Sequence, residues 1–290
     1  MRRSWFAVVT ARNSEDTISD TLMSVLHQDA APSLVIVVDD GSSDSTPKKL
    51  AEIRERFARL KVITNEDRGY DIRRIVHNWN KALQLADELG GADYHFITAD
   101  DCIFPPSYVS FLLGHFEEDP KLAVASGTRG LRIRAAEENL PEGAGRLVRQ
   151  SFFQAVGGRY PPKYGYESWV LYKALQQGYH VNKFIDLKYA HSRKFGSQHR
   201  FVEYGAMMRC LGYYPPYALA RSVRNILRGS GEFPVGASVR MLIDYLFADL
   251  VYRGDPYYVG YGQYYDRDFR GFVSSLQKAK LLRAIGLSKS

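Results

Sequence analysis

The chain is poor in several things, and each shortage closes a class of function. It has two cysteines, Cys102 and Cys210, far apart and in no metal-ligand spacing. A disulfide framework is therefore not expected, and a reducing, cytoplasmic compartment fits. Its seven histidines are scattered and form no zinc signature. No apolar run reaches the roughly 18 residues that a membrane-spanning helix needs. The first apolar run, around "WFAVV" (5–9), is only about seven residues long, at the low edge for a leader peptide, and Arg12 and Asn13 interrupt it. It reads as a first buried strand. No internal repeat or low-complexity tract is present. After that first strand comes "TARNSED", with no glycine-rich, lysine-bearing phosphate loop, which weighs against a nucleotidyltransferase.

What remains is an ordinary globular composition. The 290 residues are 45% hydrophobic and 24% charged, with net charge +7. That length holds a large α/β domain and a smaller appendage. The basic excess suits anionic partners such as nucleotide phosphates or acidic lipid, and equally suits ordinary solubility charge. No nucleic-acid-binding motif accompanies it, and no nucleic-acid partner is expected.

Strand and helix signals alternate through the first half. Apolar runs at 5–9, 34–38, 61–64, 94–98 and 122–126 read as strands. Helical patterns lie between them, with Ile18, Leu22, Val25 and Leu26 on one inner face and Leu50, Ile53 and Phe57 on the next. Asn13 or Ser14 is expected to cap the first helix, and Thr46 the second, with Pro47 in its first turn. Further helices are expected near 72–89, 106–117 and 166–177, and a strand at 180–185. Such alternation predicts a mostly parallel sheet covered on both faces, with ligands at the carboxyl ends of its strands. The segment 129–149, charged and bearing glycine and proline, reads as a mobile loop.

Two carboxylate-rich loops end strands: "VVDDGSSDST" and "FITADDCIFPP". Carboxylates clustered in one crevice need a cation or a shared proton. A divalent metal bridging a diphosphate supplies the first, because Mg²⁺ or Mn²⁺ takes one or two carboxylates plus phosphate oxygens. Singly, each loop is as well explained by turn and cap hydrogen bonds; on successive strand ends, a site is the better reading.

Five segments in order, from residue 5 to about 195, resemble the family 2 glycosyltransferases of the GT-A fold: "VVTARNSEDTISDTLMSVLHQ", "LVIVVDDGSSDST", "HNWNKALQLA", "FITADDCIFPPSYV" and "AVGGRYPPKYGYESW". The resemblance implies an inverting transfer from a nucleoside-diphosphate sugar to a hydroxyl acceptor, a growing glycan or a lipid-linked one, with Mn²⁺ or Mg²⁺ as cofactor. It implies that Thr10, Ala11, Arg12 and Asn13 line the base and ribose pocket, with Asp39 on the nucleoside and Asp40 beside it. Asp100 takes the metal-ligand position, flanked by Ala99 and supported by Asp101; Thr98 stands where the family's first Asp is expected. The family's Glu-Asp pair reads Glu167-Ser168, so Glu167 becomes the candidate base, and Trp169 either stacks on a sugar or belongs to the core. His191 falls near the metal and diphosphate, and Arg193 and Lys194 are the diphosphate's basic partners. A degenerate, non-catalytic nucleotide-sugar binder is the other reading, motivated by Thr98 and Ser168.

The expected domains are 1–200, catalytic, with a nucleotide-sugar half to about 128 and an acceptor half after it, and 201–290, a helical extension. More than half of the 20 tyrosines lie in the extension, where helices are expected at 201–211, 217–228, 236–252 and 268–284. The basic amphipathic segment 217–228, with Arg221, Arg224 and Arg228, is read two ways. It either makes a peripheral contact with the inner membrane face, or packs as a helical cap or homodimer contact.

Overall fold

The computed structural model describes residues 3–69, 71, 73–129, 140–193, 203–213, 215–228 and 235–247. It divides into two compact units, Met1–Ser197 and Gln198–Ser290.

The first unit is built on a seven-stranded sheet. Its strands are β1 (Trp5–Ala11), β2 (Leu34–Asp39), β3 (Leu60–Thr64), β4 (Tyr94–Ala99), β6 (Leu122–Thr128), β7 (Arg146–Arg149) and β8 (His180–Lys188), in the order β3-β2-β1-β4-β7-β6-β8. All neighbours are parallel except β7, which runs antiparallel to both β4 and β6. A small ladder joins β5 (Cys102–Ile103) to β9 (Ala190–His191). The central strands are apolar at nearly every position because helices cover both faces. Phe6, Ala7, Val8 and Val9 of β1 and Val35, Ile36, Val37 and Val38 of β2 are all buried.

The helices follow the expected faces. α1 (Ile18–Leu26) buries Ile18, Leu22, Val25 and Leu26, α2 (Thr46–Arg56) buries Leu50 and Ile53, and α3 (Arg73–Glu88) buries Val76, Trp79 and Leu83. α4 (Tyr108–Glu118), α5 (Gln150–Ala155) and α6 (Tyr166–Gln176) complete the unit. The caps differ from expectation. Thr17 stands at the N-cap of α1 and Ser45 at that of α2, neither with a side-chain cap bond. The Ser14 carbonyl takes the Thr17 and Ile18 amides, and the Thr46 hydroxyl accepts the Ser14 N–H at 2.8 Å. Both side chains are drawn into a tertiary network instead.

The expected loop 129–149 needs a larger correction. Residues 130–139 lie outside the described residues, but Arg146–Arg149 is a strand in the middle of the sheet. Its two arginines hid it: only Leu147 and Val148 read as apolar. Arg146, 2% exposed, gives its guanidinium to the carbonyls of Glu142 (3.0 Å) and Glu167 (2.6 Å). Arg149 bonds the Leu122 carbonyl at 2.9 Å and lies over the Tyr94 and Phe116 rings. A long side chain whose donors meet carbonyls can line a core strand.

The second unit holds α7 (Glu203–Cys210), α8 (Pro215–Arg228) and α9 (Val235–Phe247), with α9 packed on both others. Gly205 permits the α7–α9 approach, since a β-carbon there would stand 2.0 Å from the Met241 carbonyl oxygen. The Tyr245 hydroxyl donates to the Tyr213 carbonyl at 2.7 Å. The helix expected at 268–284 and the end of that at 236–252 lie outside the described residues.

Candidate functional site

Strand register assembles the crevice. Ala11 of β1 pairs with Asp39 of β2, and Thr10 pairs with Ala99 of β4. The carboxyl ends of three adjacent parallel strands therefore bring Thr10–Arg12, Asp39–Asp40 and Thr98–Asp101 together.

Asp100 is nearly buried. Its Oδ2 accepts the Ser14 hydroxyl in a short hydrogen bond and the Arg12 amide at 3.2 Å, while Oδ1 lies 3.5 Å from the Arg193 guanidinium. Burial pushes its pKa up, against the opposing pulls of Ser14 and Arg193. Asp101 goes the other way. Burial alone would raise it, but the hydrogen bond and charge of His191, Nδ1 to Oδ2 at 3.2 Å, hold it below the usual carboxylate value. The β5–β9 ladder makes this pair by setting Cys102 against His191. Arg193 also donates to the Asn13 carbonyl at 3.0 Å, so the segment after β9 is tied to the loop after β1. Lys194 lies outside the described residues.

The other half of the crevice is a charged lattice. Arg12 donates to the Asp40 carbonyl at 2.5 Å and to Asp67 at 2.7 Å, and Arg74 pairs with the Asp40 carboxylate at 2.8 Å. Asn13, in the left-handed region at φ 49°, bridges to Ser42 and Ser43. Gly41 has φ 71°, and a β-carbon there would meet the Asp67 backbone at 2.5 Å, so the β2 loop closes on residues 66–67 only with glycine. Asp39 is buried; its Oδ1 takes the Ser42 amide and hydroxyl, while its Oδ2 is buried without a hydrogen-bond partner.

From the sequence Ser14 was named only as a possible helix cap, and Ser42, Asp67 and Arg74 were not singled out. Their polar types carry no signal singly; only contact with Asp39, Asp40, Asp100 or Arg12 marks them. Thr98 is 2% exposed and its hydroxyl points to the Ala99 carbonyl at 3.3 Å. Trp169 is fully buried, near Tyr160, so it belongs to the core and is not placed to stack on a sugar. Glu167 is exposed in the first turn of α6, where a helix N-terminus favours a carboxylate. Its Oε2 lies 3.0 Å from where a β-carbon on Gly143 would stand.

Residues 6–176, more than half of the chain, match the sequence model of Glycosyl transferase family 2. The chain belongs to that family. Over 126 residues it is 29% identical to the poly-beta-1,6-N-acetyl-D-glucosamine synthase of Staphylococcus aureus (strain MSSA476), covering 43% of this chain and 28% of that protein. The protein of the same name in Staphylococcus epidermidis is 25% identical over the same length. The chain thus matches less than a third of the length of these relatives. Among solved structures it is similar to the mannosyltransferase PcManGT from Pyrobaculum calidifontis in complex with GDP-Man and Mn²⁺, at TM-score 0.57 and 18% identity over 91% of this chain and 85% of that one. It is also similar to S. aureus TarS 1-349 in complex with UDP-GlcNAc, at TM-score 0.56 and 17% identity over 84% and 73%. These likenesses show the GT-A fold. They agree with the family's α/β sheet as described above.

Next to the β4 end lies a group of side chains that could hold a metal ion. Among the described residues, Asp101, Cys102 and His191 form a cluster whose possible ligand atoms lie within 4.8 Å of one another; Asp100 is not part of it. Cys102 suits this least, because burial pushes its thiol up to about 12.

Proposed function

We propose that the chain transfers a sugar, with inversion, from a nucleoside-diphosphate sugar to the hydroxyl of a growing glycan or lipid-linked acceptor, using Mn²⁺ or Mg²⁺. The observation that carries this reading is the Asp39 Oδ2, buried and unpartnered beside the strand end that bears Asp100. A buried acceptor without a donor costs stability unless a ligand supplies the donor, and a nucleoside base or ribose does. Thr10, Ala11 and Asn13 flank that position, and the Arg12–Asp40–Arg74 lattice holds the pocket wall. Asp100 and Asp101, with His191, hold the cation, which when bound neutralises diphosphate charge. Arg193, already directed at Asp100, stabilises the departing diphosphate. Glu167 accepts the proton of the attacking hydroxyl. The curated relatives' synthase name and the neighbours' GDP-Man and UDP-GlcNAc complexes support the donor class.

The test is transfer or donor hydrolysis over a panel of UDP- and GDP-sugars with and without Mn²⁺. Asp100→Ala should lower turnover at least about 100-fold, and Glu167→Gln should lower kcat by about 100-fold or more with little change in donor KM. Tight nucleotide binding with no turnover on any acceptor would overturn the reading in favour of a nucleotide-sugar-binding homologue. Turnover indifferent to metal would remove the role given to Asp100.

A further inference from the structure

Glu142 sits in the turn that leads into β7, with its side chain only 16% exposed. A carboxylate withdrawn that far from water needs donors around it, and these come from separate pieces of chain. Its Oε1 accepts the Thr128 hydroxyl at 2.9 Å. Its Oε2 accepts the Tyr189 hydroxyl at 2.8 Å and the Arg129 amide at 3.3 Å, and pairs with the Arg129 guanidinium at 3.3 Å. Thr128 and Arg129 belong to the end of β6, and Tyr189 joins β8 to β9. The Glu142 amide in turn donates to the Ser126 hydroxyl at 2.8 Å. The far end of the turn is tied to the same strand. The Gly127 amide donates to the Tyr108 hydroxyl at 2.6 Å, which donates to the Gly145 carbonyl at 2.8 Å. The turn 141–145 is thus fixed to β6 at two points.

That turn carries Glu167. A β-carbon on Gly143 would stand 3.0 Å from the Glu167 Oε2, 3.3 Å from its Cδ and 3.4 Å from its Oε1. The whole carboxylate therefore lies against the bare α-carbon. Arg146 refers the backbone to the same place, bonding the Glu142 carbonyl at 3.0 Å and the Glu167 carbonyl at 2.6 Å. A long side chain on an open helix turn can take several rotamers, whereas a base works only within a narrow range of positions. Here the turn limits that range. Glu142 is not placed to be the base itself, because both of its oxygens are taken.

We propose that Glu142 is a positioning residue for Glu167. Through the turn 141–145 it sets where the Glu167 carboxylate rests. Through Tyr189, two residues before His191, it ties that place to the segment that pairs with Asp101. This inference rests on the reading of Glu167 as the base.

The test combines turnover with amide exchange in the full chain. Turnover uses whichever UDP- or GDP-sugar reacts, with kcat counted per nucleotide-binding site so that unfolded protein drops out. Glu142→Ala should lower kcat about 10- to 100-fold and leave donor KM within about twofold. Glu142→Gln keeps the shape and one acceptor oxygen, and should stay within about threefold of the parent. Gly143→Ala makes the Glu167 carboxylate give by a few tenths of an ångström; it should lower kcat about three- to tenfold. In a Glu167→Gln background, Glu142→Ala should change kcat by less than about twofold, since its effect passes through Glu167. Amide exchange in the first turn of α6 should quicken about tenfold in Glu142→Ala and stay unchanged in β1 and β2. If Glu142→Ala does not fold, Gly143→Ala and Glu142→Gln decide the matter by the same kcat comparison. An undiminished kcat in both Glu142→Ala and Gly143→Ala overturns the proposal, as does an equal loss in the Glu167→Gln background. Unchanged exchange in α6 overturns it too, and so does a rise spread over β1 and β2, which marks general destabilisation. A Glu167→Gln enzyme as fast as its parent, or a chain with no turnover at all, sinks the base reading; the exchange measurement then decides the anchoring by itself.

Discussion

Asp100 and Asp101 are neighbours in sequence and opposites in environment. Asp100 is pushed toward its protonated form by burial, while His191 outweighs burial at Asp101 and keeps it ionised. This resolves the repulsion that two adjacent carboxylates imply. The pair itself was legible in the sequence. Of its partners, His191 was placed near it by the family resemblance, whereas Ser14 was read only as a helix cap, because it reaches Asp100 across 86 residues of chain, a separation that no local pattern encodes. Asp39 offers the sharpest test at this scale. Asp39→Asn can keep the Oδ1 contacts with Ser42 and turn the unpartnered Oδ2 into a donor. Affinity for UDP or GDP in calorimetry should fall about 10- to 100-fold, with the melting temperature within about 4 °C. A change below about twofold would mean that this oxygen does not face the ligand.

At the scale of elements, parallel strands were read correctly from continuous apolar runs, since a sheet covered on both faces admits little else. β7 was not. Its arginines are satisfied by carbonyls of other segments, and without those partners the same four residues read as loop. Arg146 joins three pieces: β7, the Glu142 carbonyl and the first turn of α6 that carries Glu167. Arg146→Met is therefore expected to cost about 2–4 kcal/mol in urea unfolding, by leaving buried carbonyls without donors. It should also lower kcat through a displaced Glu167. A loss below about 0.5 kcal/mol would show that packing alone holds β7.

For the molecule as a whole, the three tryptophans, Trp5, Trp79 and Trp169, all lie in the first unit. Tryptophan fluorescence therefore reports on the unit that carries the crevice. A bound nucleotide with Mn²⁺, at about 100 times its Kd, should raise that unfolding midpoint by about 5 °C or more. Asp100→Ala should abolish the Mn²⁺-dependent part. A midpoint that rises equally with nucleotide alone would separate nucleotide binding from the metal.

The sequence by itself determined the strand–helix alternation, the two carboxylate loops and family membership. These rest on apolar periodicity and contiguous motifs, which neighbouring residues carry. Tertiary structure alone decided which polar side chains complete the crevice, that Trp169 serves the core and that two arginines line a central strand. Each of these depends on contacts between segments far apart in the chain.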